Sequence, residues 1–239
     1  MNNFFVTEQP FATQERKLVK WLNTALHFIR PGYRIASPPN PVVDMNTLEQ
    51  RINYFHLLNN TIEAQIPGDI IELGCFTGQC ALLFQKIIQL TKTDKILHLY
   101  DSFEIKFTLQ ESIEDALRRN FAAAGLRMPV LHKGYFQDTL PSQLPARICF
   151  VHIDCGFGGD ALAHKEIMLQ CLQAVYPRMS AGAVCVLMDY HDPLSGDVGY
   201  DVNPGVKLAC DEFFASKPEQ IVSLYGNHIS HAFFRKLAT

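Results

Sequence analysis

The sequence has no block of lysine and arginine: 21 basic side chains are interspersed with 24 acidic ones over 239 residues. Sequence-independent nucleic-acid binding needs a basic face that releases counterions from phosphates, so no nucleic-acid partner is expected. Local pairs such as Arg118-Arg119 read as a solvated helix face. No uninterrupted apolar run approaches the ~20 residues that cross a bilayer, which argues against a membrane partner. The first residues, MNNFFVTEQPFATQERK, have no basic segment leading into an apolar one and do not read as a signal peptide. Cys-x-x-Cys is also missing. The seven cysteines (75, 80, 149, 155, 171, 185 and 210) are scattered and odd in number, and Cys149 and Cys185 fall in apolar, strand-like segments. A buried free thiol behaves as a small hydrophobe. The pattern excludes a disulfide scaffold and a paired-cysteine zinc site, and predicts a reduced, cytoplasmic location.

What is present is an ordinary globular balance, 48% hydrophobic and 19% charged, enough for one domain with a decorated N-terminus. Residues Glu15 to Phe28 and Met45 to Gln65 carry apolar side chains at helical spacing, with Leu48, Ile52, Phe55, Leu58 and Ile62 marking the second stripe. The proline-rich RPGYRIASPPNPV between them fits neither a helix interior nor a central strand. From Gly68 strands and helices alternate. GDIIELG, KILHLYD, MPVLHKGYF, ICFVHID and AVCVLMD read as strands. Helices are predicted at Gln79–Leu90, Glu111–Ala124, Leu162–Tyr176 and Val206–Ala215. IVSLYG and HAFFRK close the chain as two strands joined by a tight turn around Asn227. The expectation is an α/β fold with a doubly wound, mostly parallel seven-stranded sheet, Rossmann-like, ending in a hairpin. Residues 1–66 form an N-terminal helical extension or lid, and residues 67–239 the main domain.

Ligands of open α/β sheets bind beyond the carboxyl ends of the strands. Four of the first five strands carry an acid there: Glu72, Asp101, Asp154 and Asp189, and Gln137-Asp138 follows the remaining one. The first loop reads Glu72-x-Gly74-x-x-x-Gly78. Gly74 suits a tight turn, and Gly78 suits close approach of a ligand to the helix N-terminus. The spacing is neither G-x-G-x-x-G nor a P-loop, which favours a ligand without a pyrophosphate. Asp101 ends the adjacent strand, where an acid can accept ribose hydroxyls or cap a helix. Of the nine histidines, His98 and His152 read as core, His164 and His228 as unassigned, and His191 as a catalytic candidate beside Asp189. No serine stands in a G-x-S-x-G elbow, which excludes that hydrolase class.

Three segments together carry a family resemblance: Pro67-Gly68-Asp69-Ile70-Ile71-Glu72-Leu73-Gly74, Tyr100-Asp101-Ser102-Phe103-Glu104, and Lys133-Gly134-Tyr135-Phe136-Gln137-Asp138-Thr139-Leu140-Pro141. With His152-Ile153-Asp154, Met188-Asp189-Tyr190 and Ala209-Cys210-Asp211-Glu212-Phe213, the chain resembles the macrocin O-methyltransferase family over about residues 45 to 236. The resemblance implies a class I methyltransferase fold, S-adenosylmethionine as methyl donor, Mg²⁺, a sugar hydroxyl of a natural product as small-molecule acceptor, and a homo-oligomer. Carried over by residue, it implies donor contacts from Glu72, Gly74, Gly78, Asp101, Ser102, Gln137 and Asp138. It implies metal ligation by Asp154 and Asp189, with Asp154 also the general base. The family pattern Asp-Asp-Tyr is here Met188-Asp189-Tyr190, one carboxylate short, and His191 or Asp192 stands near enough in sequence to replace it. Two readings compete: a metal-free O-methyltransferase of a phenol or polyketide hydroxyl, and a non-catalytic donor-binding subunit.

Overall fold

The computed structural model describes residues 17–33, 35, 45–107, 109–156, 159–197 and 199–238. The five anticipated strands form: β1 (Asp69–Leu73), β2 (Leu97–Asp101), β3 (Val130–Lys133), β4 (Ile148–Ile153) and β5 (Met179–Met188). With β6 (Val222–Leu224) and β7 (His231–Arg235) they make one seven-stranded sheet of order β3-β2-β1-β4-β5-β7-β6. The first five strands pair in parallel, and β7 pairs antiparallel with both β5 and β6. The strand order reverses between β1 and β4, and there the crevice of a doubly wound sheet opens.

The helices are α1 (Lys17–Ile29), α2 (Leu48–Glu63), α3 (Gln79–Thr91), α4 (Ile113–Ala124), α5 (Phe136–Thr139), α6 (Ala161–Val175) and α7 (Gly205–Phe214). Their starts follow local chemistry. Thr47 and Gln50 form a reciprocal capping box on α2, Ser112 caps α4, and Asp160 accepts the first free amides of α6. The residues before Lys17 in the first expected helix, and most of the proline-rich break, lie outside the described residues.

Side chains alternate across each strand, so neighbours face opposite layers. Ile70, Phe150, Val184 and Val186 face a layer holding Tyr54, Leu58 and Ile62 of α2 and Phe84 of α3. Ile71, Val151, Cys185 and Leu187 face the layer of α6 and α7. The second N-terminal helix therefore belongs to the core of the sheet. By contrast α1 buries no residue and presents Leu18, Trp21 and Phe28 to solvent.

Three details differ from the sequence reading. The segment after β3 is not plain loop but the short α5, because Tyr135 takes an extended backbone and begins a helical turn. Strand β5 starts at Met179, four residues before the apolar run, with its edge half exposed. The β6–β7 connection spans 225–230 and is wider than a tight hairpin turn, though Asn227 does take the left-handed conformation.

Candidate functional site

The β1–α3 loop is shaped by two contacts. Gly74 sits at φ +83°, and a Cβ there would collide with the Asp154 carbonyl. Only glycine lets the strand ends of β1 and β4 approach this closely. Across the loop, the Asp101 carboxylate accepts the backbone amides of Cys75 and Phe76, both at 2.9 Å, and of Phe103 at 2.7 Å. Asp101 therefore fixes the shape of the first loop.

These strand ends border a cleft of about 660 Å³, within the range of small-molecule sites. Glu72, Gly74, Asp101, Ser102, Gln137, Asp154 and Asp189 all line it. Its mouth is apolar: Met45, Ile105, Phe107 and Val202 are exposed and line the cleft. Four predicted residues are placed elsewhere. Asp138 is exposed on α5, away from the lining. Gly78 is the N-cap of α3, backed by Leu117 and Phe121 of α4, so its missing side chain serves packing. His191 is buried with its Nδ1 3.1 Å from Ser230 Oγ, and Asp192 caps the turn at Leu194; neither side chain reaches the cleft lining.

The two remaining acids are both buried and raised. Burial, then the charge of Asp189, hold the Asp154 carboxyl well above the usual carboxylate range. Burial also raises Asp189, against a 2.6 Å hydrogen bond donated by the Asn203 amide. Gly156 leaves room for that pair, since a Cβ there would sit 3.0 Å from Asp189 Oδ2 and closer still to the Asn203 amide. Met188 turns its thioether towards α2, where Tyr54 Oη donates to it at 3.1 Å and Gln50 Nε2 at 3.5 Å.

Deeper in, Glu72 and His152 lie opposite each other in the β1–β4 register, with Oε1 and Nδ1 3.0 Å apart. Burial raises the Glu72 carboxyl and pushes the His152 imidazole down to about 4. Both directions favour the uncharged forms, so the contact is a neutral hydrogen bond rather than an ion pair. His152, read as core, is in the core and also braces a cleft residue. His164 is held 3.6 Å from the Cys155 thiol, a pairing invisible in the sequence.

Sequence reasoning missed Asn203, Met45 and Asn46 as cleft residues. Asn203 comes from a segment without periodic pattern, while Met45 and Asn46, read as the start of the second helix, lie before its N-cap Thr47. A partial signal existed for Asn203, which sits just before the α7 start in a Gly- and Asp-rich loop.

The magnesium ion implied by the resemblance fits the donor set. Asp154, Asp189 and the Asn203 amide offer hard oxygen atoms, and two buried carboxylates, Asp154 raised further by the charge of Asp189, would be relieved by a cation. Met188 contributes nothing to such a shell.

No family model matches the chain. The mycinamicin III 3''-O-methyltransferase of Micromonospora griseorubida is 24% identical over 213 residues, 78% of this chain and 81% of that protein. The solved O-methyltransferase NovP superposes with a TM-score of 0.66 at 19% identity, covering 82% of this chain and 83% of its own. CalS11, a TDP-rhamnose 3'-O-methyltransferase of calicheamicin biosynthesis, gives 0.56 at 16% identity over 93% of this chain and 96% of its own. The fold is that of the class I methyltransferases, as the family resemblance implied. Among the described residues no helix is long and apolar enough to cross a membrane.

Proposed function

We propose that this chain is an S-adenosylmethionine-dependent O-methyltransferase acting on a hydroxyl of a sugar in a glycosylated natural product or related small molecule. The observation that carries the reading is the placement of Asp154 and Asp189 on one cleft with the Asp101-pinned Gly74 loop. The activities named for the mycinamicin and calicheamicin proteins support the sugar acceptor.

The donor supplies an activated methyl group on a sulfonium, so the protein's work is alignment and proton removal. Glu72, Gly74, Asp101, Ser102 and Gln137 form the donor side of the cleft. Asp154 and Asp189, with the Asn203 amide, would hold Mg²⁺, which lowers the pKa of a bound hydroxyl. Asp154 would take the acceptor hydroxyl's proton as its oxygen bonds the methyl carbon and the donor's S–C bond breaks, leaving a neutral thioether. His191 faces Ser230 and has no part in this scheme. The apolar mouth receives the body of the acceptor, and Met45 and Asn46 extend it from the segment that leads into α2.

A metal-free phenol or polyketide methyltransferase is the second reading. Met188 favours it, standing where a third carboxylate would strengthen metal binding. Calorimetric titration with S-adenosylmethionine, in Mg²⁺ and then in EDTA, tests both. Donor binding followed by EDTA-sensitive turnover of glycosides supports the first reading. EDTA-insensitive turnover of phenols supports the second, and no donor binding in either buffer removes both.

A further inference from the structure

We propose that Glu72, Cys80 and His152 form a second metal site, for a thiophilic divalent ion of the zinc class, distinct from the Asp154–Asp189 pair. The parallel register places Glu72 opposite His152, and strand alternation turns both towards the layer of α2 and α3. Cys80 enters from the first turn of α3. One ligand atom from each of the three lies within 4.8 Å of the others. All three side chains are buried, at 2%, 6% and 0% exposure for Glu72, Cys80 and His152.

A second observation points to a ligand. Glu72 Oε2 and His152 Nε2 are buried with no hydrogen-bond partner. Buried polar atoms are almost always satisfied, and two orphans in one cluster mark a place where an ion or its bound water belongs. The donor set selects the ion. Carboxylate, imidazole and thiolate together suit Zn²⁺, whereas Mg²⁺ takes an octahedral oxygen shell. Zn²⁺ with one thiolate, one carboxylate and a neutral imidazole carries no net charge, which removes most of the electrostatic cost of burying the ion. Bond lengths of about 2.0–2.3 Å require the three atoms to draw together by roughly 1 Å. Cys80 Sγ, which now donates to Asn46 Oδ1 at 3.1 Å, exchanges that contact for the metal and loses its proton. Glu72 and Cys80 both line the cleft, so the fourth coordination position opens to solvent or to a cleft ligand.

The inference needs neither donor nor acceptor, although Glu72 also lies on the donor side of the cleft. The test is to load the purified full chain with Zn²⁺, desalt it, count the metal by plasma mass spectrometry, and record X-ray absorption at the zinc edge. One zinc per chain is expected, with a single sulfur near ~2.3 Å and the remaining ligands nitrogen or oxygen near ~2.0 Å. Cys80→Ser should lower zinc affinity at least tenfold, while Cys155→Ser and the Asp154→Asn/Asp189→Asn double variant retain it; circular dichroism verifies that each is folded. The wild-type spectrum decides even if a variant fails to fold. A shell without sulfur, a shell with two or more sulfurs, or no retained zinc would each overturn the site.

Discussion

Asn203 donates a 2.6 Å hydrogen bond to Asp189, joining the segment before α7 to the end of β5 across the cleft. The bond holds one carboxylate oxygen of Asp189 in a fixed direction and offsets part of its burial cost. Replacing Asn203 by Ala should lower kcat about tenfold, close to 1.4 kcal/mol of transition-state stabilisation, and leave donor affinity unchanged. Steady-state kinetics beside donor calorimetry separates the two. An unchanged kcat would make the contact incidental.

Asp154 is the sharper test of the chemistry. Asn in its place keeps the shape and removes both the proton acceptor and a metal-binding charge. A loss of about 10²–10⁴ in kcat is expected, the range for removing a general base, with donor affinity within a few-fold. If donor binding collapsed in parallel, Asp154 would be a structural element of the donor side, consistent with its carbonyl packing on Gly74.

Asp101 has two jobs that mutation can separate. Ala at this position strips the acceptor from the amides of Cys75, Phe76 and Phe103. Hydrogen bonds to a charged group contribute about 1.5–3 kcal/mol each before non-additivity, so a clear fall in Tm should accompany at least tenfold weaker donor binding. Asn retains one carbonyl acceptor and should fall between Ala and wild type in both. Weaker binding without a fall in Tm would mean direct contact with the donor alone; a fall in Tm with full affinity would contradict the ribose assignment.

How much of this was legible beforehand follows the physics of each element. The β1 and β4 strands announced themselves because Ile70-Ile71 and Phe150-Val151 face two buried layers and so read as continuous apolar runs. The acids at their ends followed from the rule that such sheets bind ligands there. Met45 and Asn46 did not, because the helical spacing draws them into the second helix, which starts only after Thr47. Nor did Asn203, because a loop residue reaches a site through tertiary path and not through periodicity. His191 misled for the same reason. It follows Asp189 by two positions, yet the chain turns at Asp189, whose φ is +61°, and carries the imidazole to Ser230. The pairing of Glu72 with His152 required the register between two strands separated by 80 residues, which sequence alone does not state.

The same buried layer sets a pH dependence whose sign can be worked out. Burial pushes His152 and His231 each down to about 4, against about 6.5 in an unfolded chain. Between those values the unfolded chain binds more protons, so the stability contributed by each neutral ring is present above about pH 6.5 and is lost as pH falls towards 4. Glu72, Asp154 and Asp189 act in the opposite sense, since their folded proton affinities are raised and their contribution falls as pH rises above the unfolded carboxylate range. A raw stability profile mixes the two, and a variant isolates one. His231 packs edge-on against Tyr54 at 5.4 Å, with Asn53 Nδ2 3.1 Å from its Nε2. His231→Gln keeps a polar side chain there and removes the titration. Between pH 7 and pH 4.5 the wild type should therefore lose more stability than the variant, by up to about 3 kcal/mol for a shift of this size. Urea unfolding at half-unit pH steps measures the difference, and parallel profiles would show that His231 does not titrate in this window.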